Sequence, residues 1–352
     1  MRVLVVLFLA SSLAGFAIAG QQAEGSAGEV IKQARGLVAS HQLQQANELL
    51  SDFVRHEPGN EEALVELGRV QEQQGLNDDA LKSFEEVLTA SPDSPTAREG
   101  EVKAATAAAL ADRQAGANDS ALLYLIRARK YVPDSPELLL DFGVQAESMH
   151  IYEDADAALT KAHAIASDDL KILYALARVE VDEQKTQQAE SNLRAYLAAR
   201  PNDATAHYGM GHLLHIELKE DDAKIELDRS IALQPRQTSS YYELGEIAME
   251  QNEDGAATSN YRKVIALAPN HGGALTGMGI LAFRAKDYAN AERYLKSAIL
   301  YAPDYPRAHH YYSLVLGRLG RHDEAAREAD LAQTLNEQQS KTSRGNFLTI
   351  VK

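Results

Sequence analysis

Nine alanines keep a fixed interval along this chain, and no other feature of the sequence restricts its fold as strongly. Ala46, Ala80, Ala121, Ala155, Ala189, Ala223, Ala257, Ala291 and Ala325 are separated by 34 residues at every step except the second, which is 41. A fixed period of this length is the mark of a repeat architecture. The prolines follow the same interval: Pro58, Pro92, Pro133, Pro201, Pro235, Pro269 and Pro303 each fall twelve residues after one of those alanines, and Pro95, Pro136 and Pro306 three residues further on. Proline breaks a helix interior but is accepted at a first turn, so the prolines mark unit boundaries.

Each unit carries two helical patterns. Between Glu61 and Ser94, Leu64, Leu67, Gly68 and Gln71 fall at i, i+3, i+4 and i+7. Gly75-Leu76-Asn77 interrupts the run, and Ala80, Phe84 and Val87 form a second stripe. A helix pair this short cannot enclose its own apolar stripes and must stack on a neighbour, which gives a solenoid. One slot in the first helix accepts only small residues: Ala34, Gly68, Ala109, Gly143, Ala177, Gly211, Gly245, Gly279 and Ser313. Small side chains are what two helices need at a close crossing.

Leu67-Gly68, Ala80, Phe84 and Pro92, with their counterparts, resemble the tetratricopeptide repeat over roughly residues 27 to 337. The resemblance implies an all-α fold, a right-handed α-solenoid of about nine helix pairs. The units run 27–60, 61–94, 95–135, 136–169, 170–203, 204–237, 238–271, 272–305 and 306–337, followed by a tail, 338–352. The Trp common early in such repeats is replaced by Leu64, Leu139, Leu173, Tyr241 and Leu275. Seven extra residues in the third unit predict a longer first helix from about Pro95 to Gln114, close to two additional turns. The ninth unit has Ala329 where its predecessors carry Leu or an aromatic residue, as expected of a solvated cap. In the tail, Phe347-Leu348-Thr349-Ile350-Val351 reads either as a segment docked on the last helix or as a strand-like binding element.

The first residues stand apart. Met1-Arg2 is cationic, Val3 to Ile18 lacks charge, and Ala17-Ile18-Ala19 satisfies the small-residue rule for signal cleavage. Residues 1–19 are expected to be a cleavable signal and 20–26 a linker, with a membrane anchor as the alternative, although the apolar stretch is short for a span. The expected location is therefore extracytoplasmic, periplasmic or secreted, with no stable membrane insertion after cleavage. Lys and Arg number 35 against 51 Asp and Glu, a net charge of −16, with no block of bases longer than two. The cationic patch that phosphate backbones require is missing, which argues against a nucleic-acid partner. With no cysteine, disulfides, thiolate nucleophiles and Cys-based metal centres are excluded.

No catalytic constellation survives its context, so the expectation is a chain that is not an enzyme and needs no cofactor. Gly277-Met278-Gly279-Ile280-Leu281-Ala282 matches a dinucleotide fingerprint as a string, but lies inside a repeat helix instead of after a strand. His207, His212 and His215 share a helix, and Glu246 holds the place equivalent to His212 one unit later. A His-His-Glu metal site is one reading of them, and hydrogen-bonding surface histidines the other; no metal is assigned.

The remaining surface is the face of the first helices opposite the buried stripe. In tetratricopeptide packing it lines a concave groove. The candidate ligand or peptide contacts are Tyr174, Arg178, Tyr208, His212, His215, Tyr242, Glu246, Met249, Ile280, Phe283, His310 and Tyr311. Earlier units present Glu62, Glu66, Arg69 and Glu72, then Glu137, Asp141 and Glu147. The expected function is a non-catalytic protein- or peptide-binding scaffold of the cell envelope or periplasm. The alternative is a regulatory or substrate-presenting subunit of an envelope enzyme complex.

Overall fold

A computed structural model describes residues 27–345. The expected signal and linker, and the Phe347–Val351 segment, lie outside the described residues. Those described form eighteen α-helices and no strand. The helices come in nine consecutive pairs: α1 (Ala27–Ala39) with α2 (Leu43–His56), α3 (Glu61–Gln73) with α4 (Asn77–Ala90), α5 (Pro95–Gln114) with α6 (Asn118–Arg129), α7 (Pro136–Ser148) with α8 (Tyr152–Ile165), α9 (Leu170–Asp182) with α10 (Thr186–Ala199), α11 (Ala204–Ile216) with α12 (Glu220–Leu233), α13 (Thr238–Glu250) with α14 (Asp254–Leu267), α15 (Gly272–Arg284) with α16 (Tyr288–Tyr301), and α17 (Pro306–Arg318) with α18 (His322–Gly345). The fold is thus the all-α helix-pair solenoid. The seven extra residues of the third unit lengthen α5 to 20 residues. The last helix does not stop at 337 but runs to Gly345, so the stretch read as a tail begins as a continuation of α18.

The interval of the alanines has a packing cause. Ala46, Ala80, Ala121, Ala155, Ala189, Ala223, Ala257 and Ala291 are all 0% exposed, each at the point where a second helix meets its own first helix. Opposite the small-residue slot stands a large side chain sixteen positions later. A Cβ placed on Gly68 would lie 2.7 Å from the Phe84 ring, on Gly211 2.7 Å from Leu227, on Gly245 2.6 Å from Tyr261 and on Gly279 2.6 Å from Leu295. Side chain and notch are one packing device.

The turns inside the pairs repeat as well. His41, Gly75, Gly116, His150, Gln184, Leu218, Asn252, Lys286 and Gly320 occupy one slot and all have positive φ, between 58 and 78°. This left-handed residue closes the first helix and reverses the chain. Several first helices open on a side-chain cap: Asn60 accepts from the Ala63 amide, Asp169 from Lys171, and Asp203 from Thr205 and Ala206.

The chain divides into two compact units, one ending at Gln145 and the other starting at Ala146. Within the first, α1 approaches α3 and α3 approaches α5; within the second, α9, α11, α13, α15 and α17 approach one another in succession. The first helices therefore form a continuous inner row in each unit, and the candidate residues lie on the row of the second.

Candidate functional site

In the second unit the inner row presents aromatic rings at the repeat interval. Tyr174, Tyr208 and Tyr242 are half-buried on α9, α11 and α13. Tyr174 packs against Tyr196 of α10, with ring centroids 4.9 Å apart, and Tyr242 against Tyr261 of α14 at 6.1 Å and His271 at 4.9 Å. Tyr208 stacks on His212 at 6.1 Å. Among the described residues no ring contact joins the three to one another. Each ring is braced within its own unit, Tyr242 also by the next one, where a Cβ on Gly273 would lie 2.8 Å from its hydroxyl, and each stays partly exposed. Burial pushes the Tyr208 phenol up to about 12 and that of Tyr242 higher still, so both are neutral hydroxyls at any physiological pH. Further along, Phe283 meets Tyr288 at 5.9 Å and Tyr311 at 6.4 Å, and Tyr311 meets the exposed His310 at 5.3 Å.

Two candidates belong to the interior. Met249 is 2% exposed and Ile280 is 0% exposed, both in the cluster built around Tyr261, Val264 and Met278. Apolar side chains at these positions turn into the seam between adjacent first helices, where removal from water favours them. They support the inner row from beneath and offer a ligand no surface.

Arg178, His212 and His215 are already paired, at an offset shorter than the repeat. Arg178 lies 2.6 Å from Glu147, 31 residues earlier. His212 Nδ1–H donates to Glu243 Oε1 at 2.9 Å, also across 31 residues, and His215 Nδ1–H donates to the same oxygen at 2.7 Å across 28. In the first unit Arg35 donates to Glu66 at 3.0 Å with the 31-residue offset, and Arg113 stands 4.0 Å from Asp141 with the 28-residue one. A side chain on one first helix thus meets a residue one to nearly two turns earlier on the next. For this reason the partner of His212 is the buried Glu243 and not Glu246. Glu246 instead accepts from the Tyr261 hydroxyl and from Arg307 of α17, a partner two units away that nearest-neighbour spacing does not reveal. His207 is structural: it bonds Glu226 at 2.6 Å and the Pro201 carbonyl at 3.0 Å, and His309, three units on, repeats both contacts with Glu328 and Pro303.

The dinucleotide-like string resolves into packing. A Cβ on Gly277 would lie 2.5 Å from Tyr261 and one on Gly279 2.6 Å from Leu295; the two glycines are adjacent notches on one helix for side chains from two second helices.

The Glu243 triad controls local ionisation. Burial alone would raise the Glu243 carboxyl, but hydrogen bonds from His212 and His215 bring it down to about 2. His215 rises to about 9, chiefly through its bond to Glu243, and His212 rises for the same reason. Histidines with ordinary values near 6.5 would gain charge only as pH falls toward 5, whereas His215 is already cationic at neutral pH. Its displacement corresponds to on the order of 3 kcal/mol. Because the folded value is raised, that contribution is complete below about pH 6.5 and is lost as pH climbs through 9. The Glu243 contribution is present above about 4.5 and lost as pH falls through 2. Chemical unfolding in chelator-containing buffer at a series of pH values should therefore show the gap between wild type and His215→Gln closing from pH 6.5 to 9.5. A gap independent of pH would refute the assignment. Beyond Glu243, His215 Nε2 points to Glu250 Oε2 at 3.1 Å and Glu220 Oε1 at 3.9 Å, and one donor atom from each of the three residues lies within 4.8 Å of the others.

Sequence profiles of the tetratricopeptide repeat match residues 31–95, 174–223 and 276–340, and a second profile of that description matches 238–271. No curated protein matches the chain in sequence. Among solved structures, a chain of the APC/C hetero-tetramer Cut9–Hcn1 is similar at 15% identity and TM-score 0.57, over 87% of this chain and 59% of that one. PilF of Pseudomonas aeruginosa is similar at 18% identity and TM-score 0.50, over 62% of this chain and 99% of its own. MamA of Desulfovibrio magneticus RS-1 is similar at 20% identity and TM-score 0.43, over 47% and 94%. At these identities the first two likenesses concern the fold alone.

Proposed function

This chain belongs to the tetratricopeptide-repeat family, whose members mediate protein interactions and are typically scaffolds without catalytic activity, and from that premise we propose that it is a non-catalytic scaffold of the cell envelope that binds a protein or extended peptide along the inner row of its second unit. The observation that carries the reading is the series Tyr174, Tyr208 and Tyr242, half-buried at 34-residue intervals and continued by Phe283 and Tyr311. Rings held in place before a ligand arrives give large contact area at low conformational cost, and Tyr is enriched among residues that dominate interface energies. Arg178 and His310 are the exposed polar groups of the same row, and supply orientation where the rings supply area.

The extracytoplasmic assignment rests on residues 1–19, read as a signal that is removed. One experiment tests both parts. The protein is purified from the extracytoplasmic fraction of its host, and its intact mass should correspond to a start near Gly20 or Gln21. That material is used to capture a partner, and affinities for the partner are then measured. Tyr208→Ala combined with Tyr242→Ala should lower affinity by about 2 kcal/mol or more, while Asp222→Ala, on the exposed start of a second helix, should leave it unchanged. Full affinity in the double variant, with helical content intact, would move the site off this row. Retention of Met1 to Ala19 on membrane-bound protein would replace the soluble reading with an anchored one.

A further inference from the structure

We propose that His215, Glu220 and Glu250 form a binding site for one divalent transition-metal cation, joining the end of α11, the start of α12 and the end of α13. The three donors come from three consecutive helices, with the imidazole Nε2 3.1 Å from one carboxylate oxygen and 3.9 Å from the other. Ligands held about 2.0 to 2.2 Å from a common zinc ion stand on the order of 3 to 4 Å apart, so the cluster needs only a small contraction to close on an ion. One imidazole with two carboxylates is a donor set suited to Zn²⁺ and its first-row neighbours.

Two observations separate this cluster from a chance group of acids. First, the imidazole is oriented from behind. Its Nδ1–H is held at 2.7 Å by Glu243, which is 7% exposed; this fixes the ring with Nε2 facing Glu250 and Glu220, where a metal ion would take the place of the Nε2 proton. A carboxylate holding the far nitrogen of a histidine is the recurrent support of a metal ligand, since it sets the tautomer and raises the basicity of the ligating nitrogen. Second, a proton on Nε2 accounts for only part of the geometry. It serves Glu250 along one line, but cannot also reach Glu220 at 3.9 Å. Glu220 Oε1 faces the imidazole, while its other oxygen, Oε2, is buried and has no hydrogen-bond partner. An unpartnered buried carboxylate oxygen is costly, and a cation held by both Glu220 oxygens together with Glu250 and the imidazole satisfies it. The site lies outside the aromatic series, so its test is independent of the partner-binding reading. When occupied it ties α11, α12 and α13 to one another.

The test is calorimetric titration of the full chain with Zn²⁺ alone, after chelator treatment, with Co²⁺ absorption as a second readout of coordination. The expected result is one Zn²⁺ per chain. Affinity should fall at least about tenfold in Glu220→Gln and in Glu250→Gln, and by about 10- to 100-fold in Glu243→Gln, which acts by positioning the imidazole. Asp221→Asn with Asp222→Asn removes two neighbouring charges without touching the donors, and should change affinity by less than about twofold. The Co²⁺ spectrum should disappear in Glu220→Gln/Glu250→Gln, whose helical content in metal-free buffer should equal that of wild type. Zn²⁺ affinity in that double variant equal to wild type would overturn the site, as would an equal loss in the Asp221/Asp222 control.

Discussion

Tyr261→Ala is expected to cost about 3 to 5 kcal/mol, the range for removing a large buried aromatic, and to loosen three helix pairs at once. Tyr261 is 0% exposed and its ring is wedged between two notches: Cβ atoms on Gly245 and Gly277 would approach it to 2.6 and 2.5 Å. Truncation therefore opens a cavity walled by bare helix backbone on two sides, which neighbouring side chains cannot readily fill. The hydroxyl adds a second loss. It donates to Glu246 at 2.5 Å, and Glu246 also holds Arg307 of α17, so the ring anchors a cross-unit ion pair as well as the core. Tyr261→Phe separates the two contributions. It keeps the ring and should cost only about 1.5 to 3 kcal/mol, the range for a hydrogen bond to a charged group. Chemical unfolding of both variants measures the difference. An alanine variant no less stable than the phenylalanine one would show that the glycine notches contribute nothing.

The helix pairs were legible in the sequence because their packing is local and repeated. Ala223 and Gly211 recur at fixed phase since every pair needs a small residue at each close approach, and the prolines mark the starts. The added length of α5 followed from the same reasoning, as two further turns keep its buried stripe in phase. The site was less legible. Equivalence at 34 residues puts Tyr174, Tyr208 and Tyr242 at one position of successive first helices, but side chains on neighbouring first helices meet at 31 and 28 residues, because contacting positions are staggered by one to nearly two turns. That offset made Glu243 the partner of the histidines in place of Glu246, and it would have been found by searching opposite charges at 31 residues. Met249 and Ile280 shared the phase of the surface stripe, but the seam between first helices is wide enough to cover them. A helical wheel describes one helix, whereas burial here is decided by the next. Arg307 and Glu246 are 61 residues apart and were beyond any nearest-neighbour rule.

Leu227→Ala should cost about 2 to 5 kcal/mol, and the loss should be confined. Leu227 is 0% exposed and belongs to a cluster that includes Ala177 and Leu193 from the fifth pair, Met210, Leu213 and Ala223 from its own, and Ile247 from the seventh. Its isobutyl group fills the notch at Gly211, where a Cβ would come within 2.7 Å of it. The alanine variant leaves that notch empty, and a helix crossing already closed by Gly211 and Ala223 cannot close further. In a stack of this kind each pair contacts mainly its neighbours, so stability is a sum of pair and interface contributions. Destabilising one pair lowers the free energy of opening there without unfolding distant pairs. Hydrogen exchange should show faster exchange across α10 to α13, with protection in α15 to α17 and in α1 to α5 close to wild type. Equal loss of protection in every pair would mean that the chain opens as one cooperative block, and the nearest-neighbour account would then fail.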